Sequence, residues 1–445
     1  MYNHILQYLK NDIYPFHMPG HKRNMAFLPP NILELDLTEI PGMDVLSSPT
    51  GMIRDFEERI TQFYGADSSF FLVNGSSAGI LAAICATCDM GDPLVVPRNA
   101  HVSVYNAMVI SGATPHYITP EITENGLSGG INPDAFDNMP YGAAALVVSP
   151  TYEGFVSDIS AIANKVHSKG GLLIVDEAHG AHFKFSKSFP TSALECGADI
   201  VIQSLHKTLP ALSQCALLHC KSKNLNPNLL KFLKNAIQTS SPSYILMAVC
   251  DYVLQLLWQQ PQFFDDYINR LQKARKYIPN AKSTEALRLS GLEQIGKSAI
   301  FDIDISKLLL TAHTSLDAES ISDMMAKEYK IQMEMAAAQH VLAMTSVADT
   351  EVGFSRLMTA VDGLNSKFSS LPLTFSPYKP ALPQVKLTPR EAAYRPSVEI
   401  PWENAIGRIS AQLVAKYPPG IAILAPGEYI SPDIPKQCET IRVIT

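Results

Sequence analysis

The chain has 445 residues, 47 % of them hydrophobic, enough to bury a sizeable core and to fill two or three domains. Its 35 basic and 42 acidic residues leave a net charge of −7, and no basic block stands out, which argues against nucleic acid as a partner. No apolar run is long enough to span a bilayer and Met1 to Lys10 lacks the order of a signal peptide, so a cytoplasmic protein is expected.

The first 48 residues read as an arm with its own chemistry. Pro15 to Asn24 sets His17, His21, Lys22 and Arg23 around a Pro19-Gly20 turn, either a functional loop reaching a partner subunit or a plain surface loop. From Ile53 the pattern is helical until Tyr64-Gly65. A short strand, Phe70 to Val73, runs into Asn74-Gly75-Ser76-Ser77-Ala78-Gly79 and an apolar helix, Ile80 to Ala86. Strand, small-residue turn and helix N-terminus make either an anion site, with Ser76 and Ser77 as donors, or a capped helix. Cys85 and Cys88 have a Cys-x-x-Cys spacing, but no second pair completes a zinc site, and the cysteines read as core thiols. Leu94 to Val96 and Ala145 to Val148 read as strands; His101, after the first, caps a helix or stacks on a flat ring.

Two later strands carry the strongest signal. The apolar run Gly171 to Val175 ends in Asp176-Glu177-Ala178-His179-Gly180-Ala181-His182, and Ile200 to Ile202 ends in Ser204-Leu205-His206-Lys207-Thr208. Strands alternating with helices predict a mostly parallel sheet, whose functional groups gather at the carboxyl ends of the strands. That places Asp176 and Lys207 close together. A lysine between two buried strands is desolvated, which lowers its pKa and leaves a nucleophilic amine. A carboxylate and such a lysine are the fixed points of a pyridoxal phosphate (PLP) site. Beyond residue 290 the βα rhythm ends. Residues 296–360 read as a smaller α+β portion, 363–390 as an extended connection, and Arg395 to Tyr417 as largely helical. Two proline-glycine turns then bracket a short strand between Pro418 and Gly427.

These motifs together resemble the PLP-dependent ornithine/lysine/arginine decarboxylases. The resemblance rests on His17-Met18-Pro19-Gly20-His21-Lys22, on the Asp176 and Lys207 segments, on Leu387 to Ala392, on Gly407 to Ala411, and on Tyr417-Pro418-Pro419-Gly420 with Pro426-Gly427-Glu428. It implies an α/β fold of PLP fold type I: an arm (1–48), a large PLP-binding domain (49–295) with a mostly parallel seven-stranded sheet, and a C-terminal α+β portion (296–445). It implies that Lys207 holds PLP, Asp176 pairs with the pyridine nitrogen and His101 stacks on the ring. Ser76, Ser77, Ser204 and His206 then hold the phosphate, joined by Ser240 or Ser241 of a second subunit in a homodimer or a multiple of it. His179 lies near the ring hydroxyl or the reacting carbon. Lys207, His179 or His206 returns the proton to Cα, and Glu153 and Glu428 are candidate partners for a basic side chain. The implied activity is decarboxylation of lysine, arginine or ornithine. Another PLP enzyme, such as an α-oxoamine synthase or an aminotransferase, and a weakly active PLP- or polyamine-binding homologue stay open. Relatives often carry Asp-Asp-Leu-His where this chain has Asp44-Val45-Leu46-Ser47, and the chain begins almost at the His-Met-Pro-Gly-His-Lys motif, so a short form without a wing domain is expected.

Overall fold

The computed structural model describes residues 2–222, 224–372, 382–416 and 420–445. Seven strands form its central sheet: β1 (Ser68–Leu72), β2 (Pro93–Pro97), β3 (Thr114–Ile118), β4 (Ala144–Val148), β5 (Leu173–Asp176), β6 (Ile200–Ser204) and β7 (Ala216–Cys220). Their spatial order is β1-β7-β6-β5-β4-β2-β3. The run from β6 to β3 is parallel, whereas β7 runs antiparallel to both β6 and β1. The sheet is covered on both faces, which is why its inner strands are unbroken apolar runs. Leu173, Val175 and Val201 enter one core, while Ile174, Ile200 and Ile202 enter the other. The helix Gly75–Thr87 lies close against the sheet because Gly79 has no side chain: a Cβ there would sit 2.8 Å from Leu72 Cδ1 and 3.0 Å from Ile202 Cγ2.

The α+β portion is a four-stranded antiparallel sheet, in the order Leu287–Ser290, Lys307–Ala312, His340–Met344 and Met335–Ala337. The helices Ala318–Glu328 and Glu351–Lys367 contribute Ile321, Leu357 and Leu364 to the main core. The arm joins this portion within one chain, since Tyr14–Phe16 pairs in parallel with Ile331–Met333.

The C-terminal segment departs from the helical expectation for Arg395 to Tyr417. Ser397–Pro401 is a strand paired with Thr440–Ile444, and Val414–Lys416 pairs with Ile421–Leu424. Tyr417, Pro418 and Pro419 lie outside the described residues. The apolar positions that suggested a helix instead fill a small core, with Trp402, Ala405 and Val414 against Leu424, Ile441 and Val443. The expected extended connection is also partly helical: one helix runs on to Lys367 and another spans Pro389–Tyr394, opened by a Thr388–Glu391 capping box. Residues 373–381 of that connection lie outside the described residues. The Pro389–Tyr394 helix docks through Arg390, whose Nη1 donates to the Val109 and Ile110 carbonyls at the end of the helix Val102–Ser111.

Candidate active site

The carboxyl ends of β4, β5 and β6 open into a cavity of about 340 Å³, within the range of small-molecule sites. Asp176 is the last residue of β5, in register with Ile202 of the neighbouring β6. After β6 the chain makes one helical turn, Leu205–Thr208, and returns as β7. That turn carries Lys207 to the cavity. Its Nζ lies 3.1 Å from Nε2 of His179, which stands in the loop after Asp176. Asp176 Oδ1 accepts from the Ala178 amide at 3.1 Å, so the same carboxylate shapes the loop that presents His179.

Burial dominates the electrostatics. It lowers the pKa of Lys207; the Asp176 carboxylate opposes this, and the Lys307 ammonium adds to it. Burial, then the neighbouring Lys207 and Lys307 cations, holds His179 well below the ordinary imidazole range. Burial pushes His206 down to about 4, against its Nδ1 contact of 3.1 Å with the Cys215 carbonyl. Neutral imidazoles therefore surround a lysine whose proton is loosely held.

The opposite wall is the first turn of the helix Gly75–Thr87. Gly75 adopts φ +71°, and its amide donates to Gln214 O at 2.9 Å, tying the turn to the segment after Lys207. Ser76 and Ser77 line the cavity there, beside backbone amides that have no partner inside the helix. His101 lines a third wall and caps its helix, with Nδ1 accepting from the Ser103 amide at 3.2 Å. Capping fixes the ring without removing it from the cavity, so the two readings of His101 are compatible. Burial lowers its pKa, Asp176 opposing and Lys207 adding to the effect. Ser204 is fully buried at the end of β6, outside the cavity wall, and its Oγ has no hydrogen-bond partner among the described residues.

These groups suit PLP: an amine, a facing carboxylate, a flat imidazole, and hydroxyls at a helix N-terminus. The orphaned His179 Nδ1, on a residue that lines the cavity, leaves polar capacity that the described residues do not use.

Ser240 and Ser241 are exposed in the connection before the helix Tyr244–Gln259 and do not line the cavity of their own chain. The His17–Lys22 arm does not project away from its own subunit. The Gly20 amide donates to His206 O at 2.7 Å, and a Cβ on Gly20 would lie 2.6 Å from Leu209 O. Lys22 is buried, its Nζ donating to His17 O and Met344 O at 2.8 Å each. The arm thus packs under the Lys207 turn of its own chain. Glu428 does not line this cavity. It is 1 % exposed and paired with Arg98 Nη1 at 2.5 Å, and it accepts from the Ala425 amide at 2.8 Å. Arg98 also donates to Ile423 O at 3.1 Å and stacks over Tyr117. This latch seats the segment whose Gly420 and Ile421 close the cavity rim. Glu153 does line the cavity.

Asn99, Ser128, Tyr152 and Gln214 are wall residues that the sequence did not single out. Gln214 follows the Lys207 turn in sequence, whereas Ser128 lies far from every motif.

Among solved structures, the lysine decarboxylase of Francisella novicida superposes with a TM-score of 0.77 at 18 % identity, over 94 % of this chain and 76 % of that one. The ureidoglycine-glyoxylate aminotransferase of Bacillus subtilis superposes with a TM-score of 0.57 at 15 % identity, over 77 % of this chain and 91 % of that one. The fold is PLP fold type I. Residues 1–309 match the Orn/Lys/Arg decarboxylase major domain and residues 373–444 the C-terminal domain of the same family. The arginine decarboxylase of Bacillus anthracis is 32 % identical over 450 residues, 97 % of this chain and 91 % of that protein. The arginine decarboxylase of Bacillus subtilis is 32 % identical over 432 residues, 94 % and 88 % of the two chains. The chain belongs to the Orn/Lys/Arg decarboxylase family and is a PLP-dependent decarboxylase. Among the described residues, no helix is long and apolar enough to cross a membrane.

Proposed function

We propose that this chain binds PLP in the cavity and decarboxylates a basic amino acid, with arginine the first substrate to test. The observation that carries the reading is Lys207 Nζ held 3.1 Å from His179 Nε2, in the cavity that Asp176 also lines. The relatives named arginine decarboxylase, which align over nearly the whole chain, support the choice of arginine.

PLP supplies a ring that accepts the electron pair released when the bond from Cα to the carboxylate breaks. The chain supplies the rest. Ser76, Ser77 and the amides of their helical turn hold the phosphate, with His206 on the Lys207 side and Ser204 behind the wall at the base of that turn. Asp176 holds a proton on the pyridine nitrogen. His101, which lines the cavity, would stack on the ring. Burial of Lys207 makes its amine available for attachment, and the same amine, or neutral His179 beside it, returns a proton to Cα. Gly420 and Ile421 shield the site from water. Ser240 and Ser241, exposed in one chain, complete the phosphate site of a second chain in a dimer.

The test combines absorbance, labelling and turnover. Incubation with PLP should produce visible absorbance, and borohydride should fix the label to the peptide containing Lys207. Arginine, lysine and ornithine should be compared by CO₂ release with the amines identified. A label on another lysine, or no CO₂ from any of the three, would overturn the reading.

A further inference from the structure

Two side-chain carboxylates line the cavity, Asp176 and Glu153. Asp176 is engaged with the Ala178 amide and lies within electrostatic range of Lys207. Glu153 has no cation within ion-pairing distance among the described residues. Glu153 is half-buried and its own hydrogen bonds are to the Thr151 hydroxyl and local backbone, whereas the acids around the cavity are engaged by groups from distant parts of the chain. Glu428 has Arg98, Asp304 has His182 and Lys307, Asp349 accepts from Tyr14, and Glu334 accepts from Tyr152 and the Met18 amide. Buried charges are paired, as a rule, because leaving water without a partner is costly. Burial indeed raises the proton affinity of Glu153. A carboxylate that lines a ligand cavity and, unlike Glu428 and Asp304, has no cationic partner in the protein is complementary to a ligand that brings one.

The turn that carries Glu153 is clamped from below. Gly154 N donates to Thr151 O at 3.0 Å, and Thr151 N to Phe155 O at 2.8 Å. Gly154 adopts φ +96° and lies on the stem of Lys307, where a Cβ would meet Lys307 Cγ at 2.7 Å. The Asp304 amide donates to Gly154 O at 2.8 Å. Tyr152, beside Glu153, is fixed by its hydroxyl on Glu334 and by its ring against His179, with centroids 4.9 Å apart. The carboxylate is thus held on a rigid support, which lowers the ordering cost of binding.

We propose that Glu153 receives the distal cation of the substrate side chain and so selects basic amino acids over neutral ones of the same shape. This rests on the decarboxylase reading and assigns the specificity of that site.

The test uses the PLP-loaded protein, Glu153→Gln and Glu153→Asp. Binding of agmatine, cadaverine and putrescine is measured by calorimetry. Turnover of arginine is compared with citrulline, and of lysine with norleucine. Loss of a hydrogen-bonded charge pair should weaken the amines and raise KM for the basic substrate by about tenfold or more in Glu153→Gln, with a smaller fall in kcat. The preference for basic over neutral substrates should collapse, and Glu153→Asp should keep part of it. Unchanged amine affinity and unchanged preference in Glu153→Gln, with its melting curve and cofactor absorbance intact, would overturn the assignment. So would a fall in kcat alone. Amine binding that depends on Glu153 in a protein releasing no CO₂ would sustain the assignment while removing the decarboxylase reading.

Discussion

On the floor of the cavity, Asp176 and the Lys207 turn stand at the ends of two adjacent parallel strands, placed there by sheet register. On the rim, Gly420 and Ile421 are held by a buried ion pair, Arg98 to Glu428, whose members are 330 residues apart in sequence. The floor follows from topology: any chain that folds this sheet brings those two residues together. The rim depends on individual contacts: that charge pair, Val102 N donating to Gly420 O at 3.0 Å, and the pairing of Ile421–Leu424 with Val414–Lys416. Damage to the floor should therefore remove chemistry and leave the fold, whereas damage to the rim should loosen structure and leave the chemistry impaired.

Lys207→Ala tests the floor most severely. It removes the attachment amine and a candidate proton donor together, so turnover should fall by about four powers of ten or more, roughly 5 kcal/mol. Thermal unfolding without cofactor should hardly move. Turnover within tenfold of the parent would show that another amine serves.

Asp176→Asn keeps the shape and removes the charge that holds a proton on the pyridine nitrogen. PLP should stay bound while turnover falls by about two powers of ten or more, roughly 3 kcal/mol. Near-normal turnover would reduce Asp176 to a loop former through its bond with the Ala178 amide.

Glu428→Ala probes the rim. It leaves the Arg98 guanidinium, 9 % exposed, without its carboxylate. Removing one partner of a buried pair costs about 3–5 kcal/mol. Because a chain of this size need not unfold in one step, the cost is best read locally. Amide exchange over 421–425 should accelerate and KM should rise more than kcat falls. Exchange that stays slow there would show that backbone pairing alone holds the rim.

The same contrast explains what could be read in advance. Asp176 and Lys207 were legible because each ends an apolar run that only a two-sided sheet requires. Glu428 stood out by its motif while its pairing stayed hidden, since nothing local reveals that Arg98 lies beside it. The arm's His17–Lys22 motif was plain, but its docking in its own chain depends on the Gly20–His206 contact, a long-range event. Ser397 to Lys416 was misread because its apolar spacing suits a helix, while pairing with Thr440–Ile444 makes part of it a strand. Tertiary pairing decides such short segments.

A buried polar chain supports the floor from the β1 side, and its pH dependence is the smallest effect expected. Ser69 Oγ lies 2.8 Å from His219 Nδ1, His219 Nε2 3.2 Å from Gln203 Oε1, and Gln203 Nε2 donates at 2.6 Å to Glu177, the residue after Asp176. Burial pushes His219 down to about 3 and Glu177 up to about 7. The signs are opposite. An unfolded chain protonates His219 near 6.5, so this group's contribution is complete above pH 6.5 and is lost as pH falls towards 3. Glu177 binds its proton more tightly when folded, so its contribution is complete below pH 4.5 and is lost as pH rises through 7. Denaturant titrations between pH 4 and 8 should therefore separate two variants. Relative to the parent, His219→Gln should lower the pH slope of stability by up to about 1.4 kcal/mol per unit below pH 6.5, and Glu177→Gln should raise it by up to about the same amount between pH 4.5 and 7. If both variants give stability profiles parallel to the parent, the chain is a passive hydrogen-bond ladder and the floor owes its pH tolerance to other groups.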